Sequence, residues 1–180
     1  MAEPTETEVK LRVADLEGPR ERLARLGARR VGERHFEDNV LFDDEAGSLA
    51  AAGAVLRLRR TPQRSVLTYK GPKRVVDGIK VREEQETVVE DPDSVHAIFT
   101  TLGYRATFRY QKYRETWSHR GQEVVLDETP VGTFLEIEGD PDGIRAVTAD
   151  LGFDPSEYMV DSYVDLFFAQ GGEGDMVFDQ

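Results

Sequence analysis

The stretch Thr5-Glu-Thr-Glu-Val-Lys-Leu-Arg-Val13 alternates charged and apolar side chains along most of its length. Successive side chains of an extended chain point to opposite faces, so this alternation predicts a strand with one ionic and one apolar face. The ionic face carries Glu6, Glu8, Lys10 and Arg12, and the apolar face carries Val9, Leu11 and Val13. The apolar face needs a hydrophobic partner, which leaves a dense row of charges on the other side of the strand.

Alternation with the same period recurs along the chain and predicts about eight strands. The predicted strands span residues 5–13, 35–42, 54–60, 65–70, 78–89, 104–117, 123–127 and 133–138. Short turns join most of them, which indicates a mostly antiparallel sheet.

Apolar residues at helical spacing predict four helices outside these strands. Three of them, at 15–26, 93–102 and 142–151, end at a glycine, and the fourth spans 156–170. The glycine-rich, acidic segment 171–180 is predicted to be a flexible tail, so the folded domain is expected to span residues 1–170. The order of elements is typical of an α+β fold in which helices cover the outside of a curled sheet.

The charged face recurs on most of the predicted strands. Basic positions include Arg57, Arg59, Lys70, Arg82, Lys112 and Arg114, and acidic positions include Glu84, Glu86, Glu136 and Glu138. A solvated face with weak cross-strand ion pairs explains any one strand alone. Taken together, the strands indicate that the charged face lines the inside of a curled sheet. The helices must pack on the apolar face, so the charged face is left to line a lumen. A triphosphate with a divalent cation would neutralise both signs of charge there.

Composition narrows the classes of partner. The chain has 180 residues, of which 39% are hydrophobic, and this suits one globular domain. It has no cysteine and three scattered histidines, so any metal is expected to bind through oxygen. The net charge of -12 argues against nucleic acid and anionic membranes as partners. The absence of a long apolar run and of a signal-peptide pattern predicts a cytoplasmic location.

An ordered set of short motifs runs along nearly the whole chain. It begins with Glu6-Thr-Glu8-Val-Lys10, an E-x-E-x-K pattern, and ends with Ser162-Tyr163-Val-Asp-Leu166. Between them lie Arg57-Leu-Arg59, Thr68-Tyr-Lys70, Arg82-Glu-Glu84-Gln-Glu86, Lys112-Tyr-Arg114, Leu126-Asp127 and Phe134-Leu-Glu136-Ile-Glu138. This set resembles the strand motifs and closing helix of the CYTH superfamily. These triphosphate tunnel metalloenzymes include class IV adenylyl cyclases, thiamine triphosphatases and inorganic tripolyphosphatases.

The resemblance implies an eight-stranded antiparallel β-barrel that forms a triphosphate tunnel, with helices packed on the outside. It implies Mg²⁺ or Mn²⁺ held by carboxylates, at Glu6, Glu8, Glu84, Glu86, Asp127, Glu136 and Glu138. It implies cationic contacts with the triphosphate, at Lys10, Arg57, Arg59, Lys70, Arg82, Lys112 and Arg114. Lys10, Lys70 and Arg114 are expected to be catalytic. A homodimer is expected only by analogy with relatives.

Two reactions fit the same charged tunnel. Water attacking the terminal phosphorus of a nucleoside, thiamine or inorganic triphosphate makes a triphosphatase. A ribose 3′-hydroxyl attacking the α-phosphorus makes a class IV adenylyl cyclase, which converts ATP to cyclic AMP and pyrophosphate. Segments 111–114 and 125–138 resemble the cyclase branch, but the His-Phe pair that often precedes its E-x-E-x-K motif is absent. We therefore favour hydrolysis over cyclisation, with a non-catalytic polyphosphate or nucleotide sensor as a second alternative.

Other candidate features are interpreted as structural. Segment 71–74 lacks the spacing of a P-loop and is interpreted as a turn, with a mobile basic flap of Lys73 and Arg74 as the alternative. The aromatic residues of one strand, Phe108, Tyr110, Tyr113 and Trp117, are interpreted as packing residues. His35 and His119 are assigned no role.

Overall fold

Nine antiparallel strands form a single sheet in the computed structural model, which describes residues 5–179. The strands are β1 (Thr5–Val13), β2 (Arg29–Asp44), β3 (Val55–Arg60), β4 (Ser65–Lys70), β5 (Arg74–Val76), β6 (Ile79–Val89), β7 (Tyr104–His119), β8 (Gln122–Thr129) and β9 (Gly132–Glu138). Residues 1–4 of the predicted domain and Gln180 of the predicted tail lie outside the described residues.

Eight of the strands close into a ring. The hydrogen-bonded order is β1-β9-β8-β7-β2-β3-β4-β6, and β6 pairs back with β1 through the register Thr5↔Glu83 to Glu8↔Lys80. The short strand β5 pairs with β6 alone. This ring confirms the predicted antiparallel tunnel fold with helices on its outside. No helix within residues 5–179 is long and apolar enough to cross a membrane.

Five α-helices and one 3₁₀ helix accompany the sheet in the described part of the chain. The α-helices are α1 (Glu17–Arg25), α2 (Ser48–Ala51), α3 (Pro92–Thr101), α4 (Pro141–Asp150) and α5 (Tyr163–Ala169). Helices α3 and α4 begin where an aspartate accepts backbone N–H groups and a proline follows. Asp91 accepts from Asp93 and Ser94, and Asp140 accepts from Gly143. The three predicted helices that end at glycine are confirmed as α1, α3 and α4.

The apolar faces of β1, β8 and β9 form the larger core together with α1 and α4. Its sheet side carries Val9, Leu11, Val124, Leu126, Leu135 and Ile137, and its helix side carries Leu23, Ile144 and Val147. Fully burying one such side chain contributes roughly 1.5–3 kcal/mol. This core therefore fixes which face of the three strands points outward, and it directs the charged face into the ring.

The predicted helix at 156–170 is wrong in its first half. A 3₁₀ helix occupies Pro155–Glu157, residues 158–162 are not helical, and α5 begins only at Tyr163. The sequence contains two helix starts, because the Asp154 and Ser162 side chains each accept a backbone N–H group within a capping box. The second start begins α5, whose Tyr163 and Leu166 pack in one apolar cluster with Phe134 of β9.

Residues 175–178 of the predicted flexible tail, which we name the C-terminal strap, lie against strand β7. The Met176 N–H donates to the Arg109 carbonyl at 3.0 Å, and the Gln111 N–H donates to the Met176 carbonyl at 2.9 Å. Strand β8 pairs with β7 only from Tyr113 onward, so the earlier part of that edge is free to bind another extended segment. Met176 is fully buried there in an apolar cluster, which supplies the stabilisation that the tail's composition does not suggest.

Candidate active site

The interior of the ring is a charged cavity of about 1470 Å³. It brings together the predicted site residues of all the strand motifs. The residues that line it include Lys10, Arg57, Arg59, Lys70, Arg82, Lys112, Arg114, Glu6, Glu8, Glu84, Glu86, Glu136 and Glu138. Asp127 is fully buried behind this lining and bonds to Lys112 and Arg114, so the predicted set forms one site.

Three adjacent strands, β6, β1 and β9, form what we name the acidic wall. Its inward carboxylates are Glu6, Glu8, Glu84, Glu86, Glu136 and Glu138. Lysines hold several of these carboxylates. The Lys70 Nζ lies 2.7 Å from the Glu6 Oε1 and 3.0 Å from the Glu84 Oε2, and Lys80 forms an ion pair with Glu8. The acidic wall therefore carries more negative charge than the nearby lysines neutralise.

The crowding shows in the ionisation of two carboxylates. Burial raises the pKa of Glu84 to about 7, and the like charge of Glu6 adds to this against the opposing charge of Lys70. Burial also raises the pKa of Glu138 to about 7, with the like charges of Glu6 and Glu123 contributing. A cation bound at this wall would lower both pKa values, because it favours the charged form of each carboxylate.

The donor set of the acidic wall fits a hard divalent cation. All of its ligands are carboxylate oxygens, which Mg²⁺ and Mn²⁺ prefer. The Glu6 Oε2 is buried and has no hydrogen-bond partner among the described residues. Within residues 5–179 no three acidic side chains converge into a ready-made metal cage, because lysine ammonium groups lie between them. A metal would take the place of part of this lysine contact.

The opposite three strands, β7, β2 and β3, form what we name the basic wall. Its inward cations are Lys112, Arg114, Arg57 and Arg59. The Arg114 Nε donates to the Asp127 Oδ1 at 2.8 Å, and the Lys112 Nζ donates to the Asp127 Oδ2 at 2.9 Å. One buried carboxylate on β8 therefore orients two of the four cations.

The guanidinium groups of Arg57 and Arg59 repel each other inside the cavity. Burial lowers the pKa of Arg59, and the neighbouring charges of Arg57 and Arg114 lower it further. Arg57 donates to the Tyr110 hydroxyl at 3.3 Å and to the Thr68 Oγ1 at 3.2 Å. Buried cations under mutual repulsion favour an anionic ligand, and the planar guanidinium groups suit phosphate oxygens.

Lys10 links the acidic wall to the helix that closes one side of the cavity. Its Nζ lies 3.3 Å from the Glu136 Oε1, and it donates to the Asp161 carbonyl at 3.0 Å. The same ammonium lies 4.4 Å from the centre of the Tyr163 ring, and the Tyr163 hydroxyl donates to the Asp127 Oδ2 at 2.8 Å. The segment that resembles a closing helix therefore contacts both the acidic and the basic side chains of the site.

Arg82 is held differently from the other predicted phosphate ligands. Its Nε and Nη2 donate to the Gly71 carbonyl at 2.9 and 2.6 Å. Arg82 therefore anchors the turn at 71–74 while it lines the cavity. The Lys73 Nζ of that turn lies 3.5 Å from the Asp165 Oδ2 in α5, so the turn contacts the closing helix.

Sequence reasoning left out of the site several polar residues that the structure places in or beside the cavity. They include Lys80, Glu37, Asn39, Tyr110 and Tyr163. Glu37 and Asn39 were missed because the alternation in β2 places polar and apolar residues on both faces. His35 also lines the cavity, with its Nε2 at 3.4 Å from the Glu37 Oε1. His119 lies outside it and bonds to Asp150 at 2.8 Å.

Comparison with known proteins gives consistent matches over most of the chain. A family model of the CYTH domain matches residues 4–151. A protein of Methanocaldococcus jannaschii, MJ0240, named as a candidate adenylate cyclase, is 31% identical over 135 residues, which cover 74% of this chain and 75% of that protein.

Solved structures share the fold at lower identity. A candidate adenylate cyclase of Vibrio parahaemolyticus superposes with a TM-score of 0.80 at 18% identity, covering 92% of this chain and 99% of that one. HpAC1 from Hippeastrum, a candidate adenylyl cyclase with a dominant triphosphatase activity, superposes with a TM-score of 0.72 at 22% identity, covering 93% and 97% of the two chains. With the family model spanning most of the sequence, the chain belongs to the CYTH family.

Proposed function

We propose that this protein is a divalent-metal-dependent triphosphatase that hydrolyses a nucleoside, thiamine or inorganic triphosphate in its tunnel. The observation that carries the proposal is the pair of facing walls, one crowded with carboxylates and one crowded with cations. Burial raises the pKa of Glu138, with nearby carboxylates adding to the shift, and burial lowers the pKa of Arg59, with Arg57 and Arg114 adding to the shift. A triphosphate that carries metal ions relieves both walls at once.

The basic wall is suited to hold the phosphate chain. Arg57, Arg59, Lys112 and Arg114 would bind its oxygens, with Lys10, Lys70 and Arg82 as further ligands. Lys10, Lys70 and Arg114 already lie against carboxylates of the acidic wall. In this position they would stabilise the charge that develops on the transferred and departing groups, which is the largest contribution to catalysis of phosphoryl transfer.

The acidic wall is suited to hold the metal. Glu6, Glu8, Glu84, Glu86, Glu136 and Glu138 would supply the oxygen ligands, with Asp127 assisting from β8. A bound Mg²⁺ or Mn²⁺ would neutralise charge on the phosphate oxygens and favour departure of the leaving group. The protein's own residues exclude bulk water from the closed side of the cavity, where Tyr163 and Phe134 pack together at 5.1 Å between ring centres.

The second candidate function is adenylyl cyclisation. The relative in Methanocaldococcus jannaschii, which is named as a candidate adenylate cyclase, favours it. The same walls could hold ATP while the ribose hydroxyl attacks the α-phosphorus. We place hydrolysis first because the cyclase branch's His-Phe pair is missing before Glu6.

The test is incubation of the purified protein with ATP, thiamine triphosphate or inorganic triphosphate, each with Mg²⁺ or Mn²⁺. Phosphate and cyclic AMP are both measured. A double variant, Glu6→Gln with Glu136→Gln, purified in the same way, controls for contaminating phosphatases. Metal-dependent phosphate release that the double variant lacks supports the triphosphatase, and cyclic AMP with pyrophosphate supports the cyclase. Binding of a triphosphate without turnover would overturn both in favour of a sensor.

A further inference from the structure

Two tunnel-facing residues of β2 carry buried polar atoms without hydrogen-bond partners. Glu37 is 2% exposed and Asn39 is 0% exposed. The Glu37 Oε2 and both amide atoms of Asn39 form no hydrogen bond with any residue in 5–179, and the Lys112 Nζ lies 3.7 Å from that carboxylate oxygen. Leaving such a group unpaired costs roughly 1–3 kcal/mol, so these atoms point to a bound polar species.

Arg57 is a third residue of the basic wall with a buried polar atom that lacks a hydrogen-bond partner among the described residues. Asn39 is the direct cross-strand partner of Arg59 on β3 and of Tyr110 on β7. Arg57 lies two residues from Arg59 on the same face and donates to the Tyr110 hydroxyl, while its buried Nε has no partner among the described residues. Directly opposed residues of antiparallel strands have Cβ atoms about 4.5–5.5 Å apart. Arg57 is opposite Leu41, so Glu37, Asn39 and Arg57 occupy successive positions along one face of the basic wall.

The unpaired donors and acceptors of Glu37, Asn39 and Arg57 match the hydrogen-bonding capacity of one small molecule. The Glu37 Oε2 and the Asn39 Oδ1 need donors, and the Asn39 Nδ2 and the Arg57 Nε need acceptors. Lys112 and Arg114 outweigh the effect of burial and hold the pKa of Glu37 well below its usual value, so its oxygens remain acceptors. A phosphate oxygen only accepts, and a substrate hydroxyl donates once. Water donates twice and accepts twice.

We propose that Glu37 and Asn39 position the water molecule that attacks the terminal phosphorus, an inference that rests on the proposed triphosphatase function. Arg57 and Arg59, the adjoining cations, would hold the terminal phosphate beside this water. The water oxygen forms the new bond to phosphorus, and the bridging phosphorus–oxygen bond breaks with its electron pair on the departing diphosphate. One proton of the water passes to an oxygen of the transferred phosphate, while Glu37 and Asn39 orient the water through hydrogen bonds. The site thereby favours water over a ribose hydroxyl as the nucleophile.

The test compares hydrolysis with binding in two variants, Asn39→Leu and Glu37→Gln. Phosphate release from inorganic triphosphate with Mg²⁺ gives kcat and KM, and calorimetric titration with non-hydrolysable imidotriphosphate gives Kd. We expect kcat to fall roughly 100-fold or more in each variant, because the attacking water is no longer positioned. The Kd for imidotriphosphate should change by less than about threefold, because neither residue binds the phosphate chain. The control is Asp38→Asn, the neighbouring residue whose side chain pairs with Arg109 at 2.8 Å on the outside, and its kcat should match the parent protein.

Each other outcome is decisive. If the parent protein hydrolyses triphosphate and both variants keep its kcat, the water assignment is wrong while the proposed function stands. If Kd weakens in parallel with the loss of kcat, the two residues contact phosphate rather than water, and the inference fails. If the parent protein releases no phosphate from inorganic triphosphate, ATP or thiamine triphosphate, the proposed function and this inference fail together. Should Asn39→Leu not fold, the isosteric Asn39→Asp replaces it with the same expectation.

Discussion

Glu8 on β1 and Glu138 on β9 are direct cross-strand partners that both face the cavity. Like charges in directly opposed positions destabilise an antiparallel pair. Glu8 forms an ion pair with Lys80, whereas Glu138 forms no ion pair within residues 5–179. Such a pair destabilises the protein, and a cation bound between the two carboxylates would offset the repulsion.

The first prediction concerns the pH dependence of the metal-free protein. The pKa of Glu138 is raised from 4.5 to about 7, by burial first and then by neighbouring carboxylates. Between these values the unfolded state loses its proton before the folded state, so stability falls as the pH rises from about 4.5 to about 7 and stays low above it. We expect Glu138→Gln to recover up to about 3 kcal/mol near pH 8 and almost nothing near pH 4.5.

Thermal denaturation in excess chelator at the two pH values measures this difference. Glu21→Gln, an exposed residue of α1, is the matched control and should leave Tm unchanged at both pH values. Equal effects of Glu138→Gln at the two pH values would show that the carboxylate does not titrate in this range.

The second prediction assigns Glu6 to the metal. Its Oε1 pairs with Lys70 and its Oε2 is buried without a partner among the described residues, so the second oxygen is free for a cation. Glu6→Gln should raise the Mg²⁺ concentration for half-maximal activity by roughly tenfold or more, because the site loses a charged ligand. Calorimetric titration with Mn²⁺ provides the same comparison without turnover. Glu128→Gln, in an exposed pair with Arg34, is the control, and an unaltered metal requirement in Glu6→Gln would refute the assignment.

The third prediction concerns phosphate binding by Arg57. Its guanidinium is held in the cavity by Tyr110 and Thr68, so it can meet a phosphate oxygen without reordering. A charge-assisted hydrogen bond contributes about 1.5–3 kcal/mol, and Arg57→Ala should therefore raise KM roughly 10- to 100-fold. Arg60→Ala is the matched control, because Arg60 is the last residue of the same strand and pairs with Asp93 at 2.6 Å on the outside. Equal KM values for the two variants would exclude Arg57 as a ligand.

The sequence predicted the tunnel well where one face of a strand is uniformly apolar. In β1 and β9 that face carries Val9, Leu11, Leu135 and Ile137, so the period of two assigns every charged neighbour to the interior. The helices supplied the second constraint, since they must cover the apolar face. Placement of the acidic and most of the basic residues follows from these two facts alone.

The rest of the site could not be predicted because β2 has no uniform face. One row of β2 contains His35, Glu37, Asn39 and Leu41, and the other contains Phe36, Asp38, Val40 and Phe42. Register shifts near Gly32 further interrupt the period, so the predicted strand began six residues too late, at His35 rather than Arg29. Only the cross-strand register with β3 and β7 shows which row faces inward.

The last prediction concerns the C-terminal strap, whose contacts with β7 could not be predicted from its composition. Met176 is fully buried against an apolar cluster that contains Tyr163 and Leu166 of α5, and Tyr163 in turn bonds to Asp127 in the site. Met176→Ala should cost about 2–5 kcal/mol of stability, as for other buried methionines, and deletion of residues 175–180 should cost at least as much.

Thermal denaturation of the strap variants measures this cost. Val177→Ala is the matched control, because Val177 is adjacent in the strap and its side chain is exposed, so its Tm should stay within about 2 °C of the parent value. If Met176→Ala and Val177→Ala melt alike, the strap does not dock in solution. If Met176→Ala lowers Tm and Val177→Ala does not, the Met176 side chain stabilises the packing of the strap against β7 and the closing helix. The apolar cluster that contains Tyr163, the partner of Asp127, then depends on a segment outside the strand motifs.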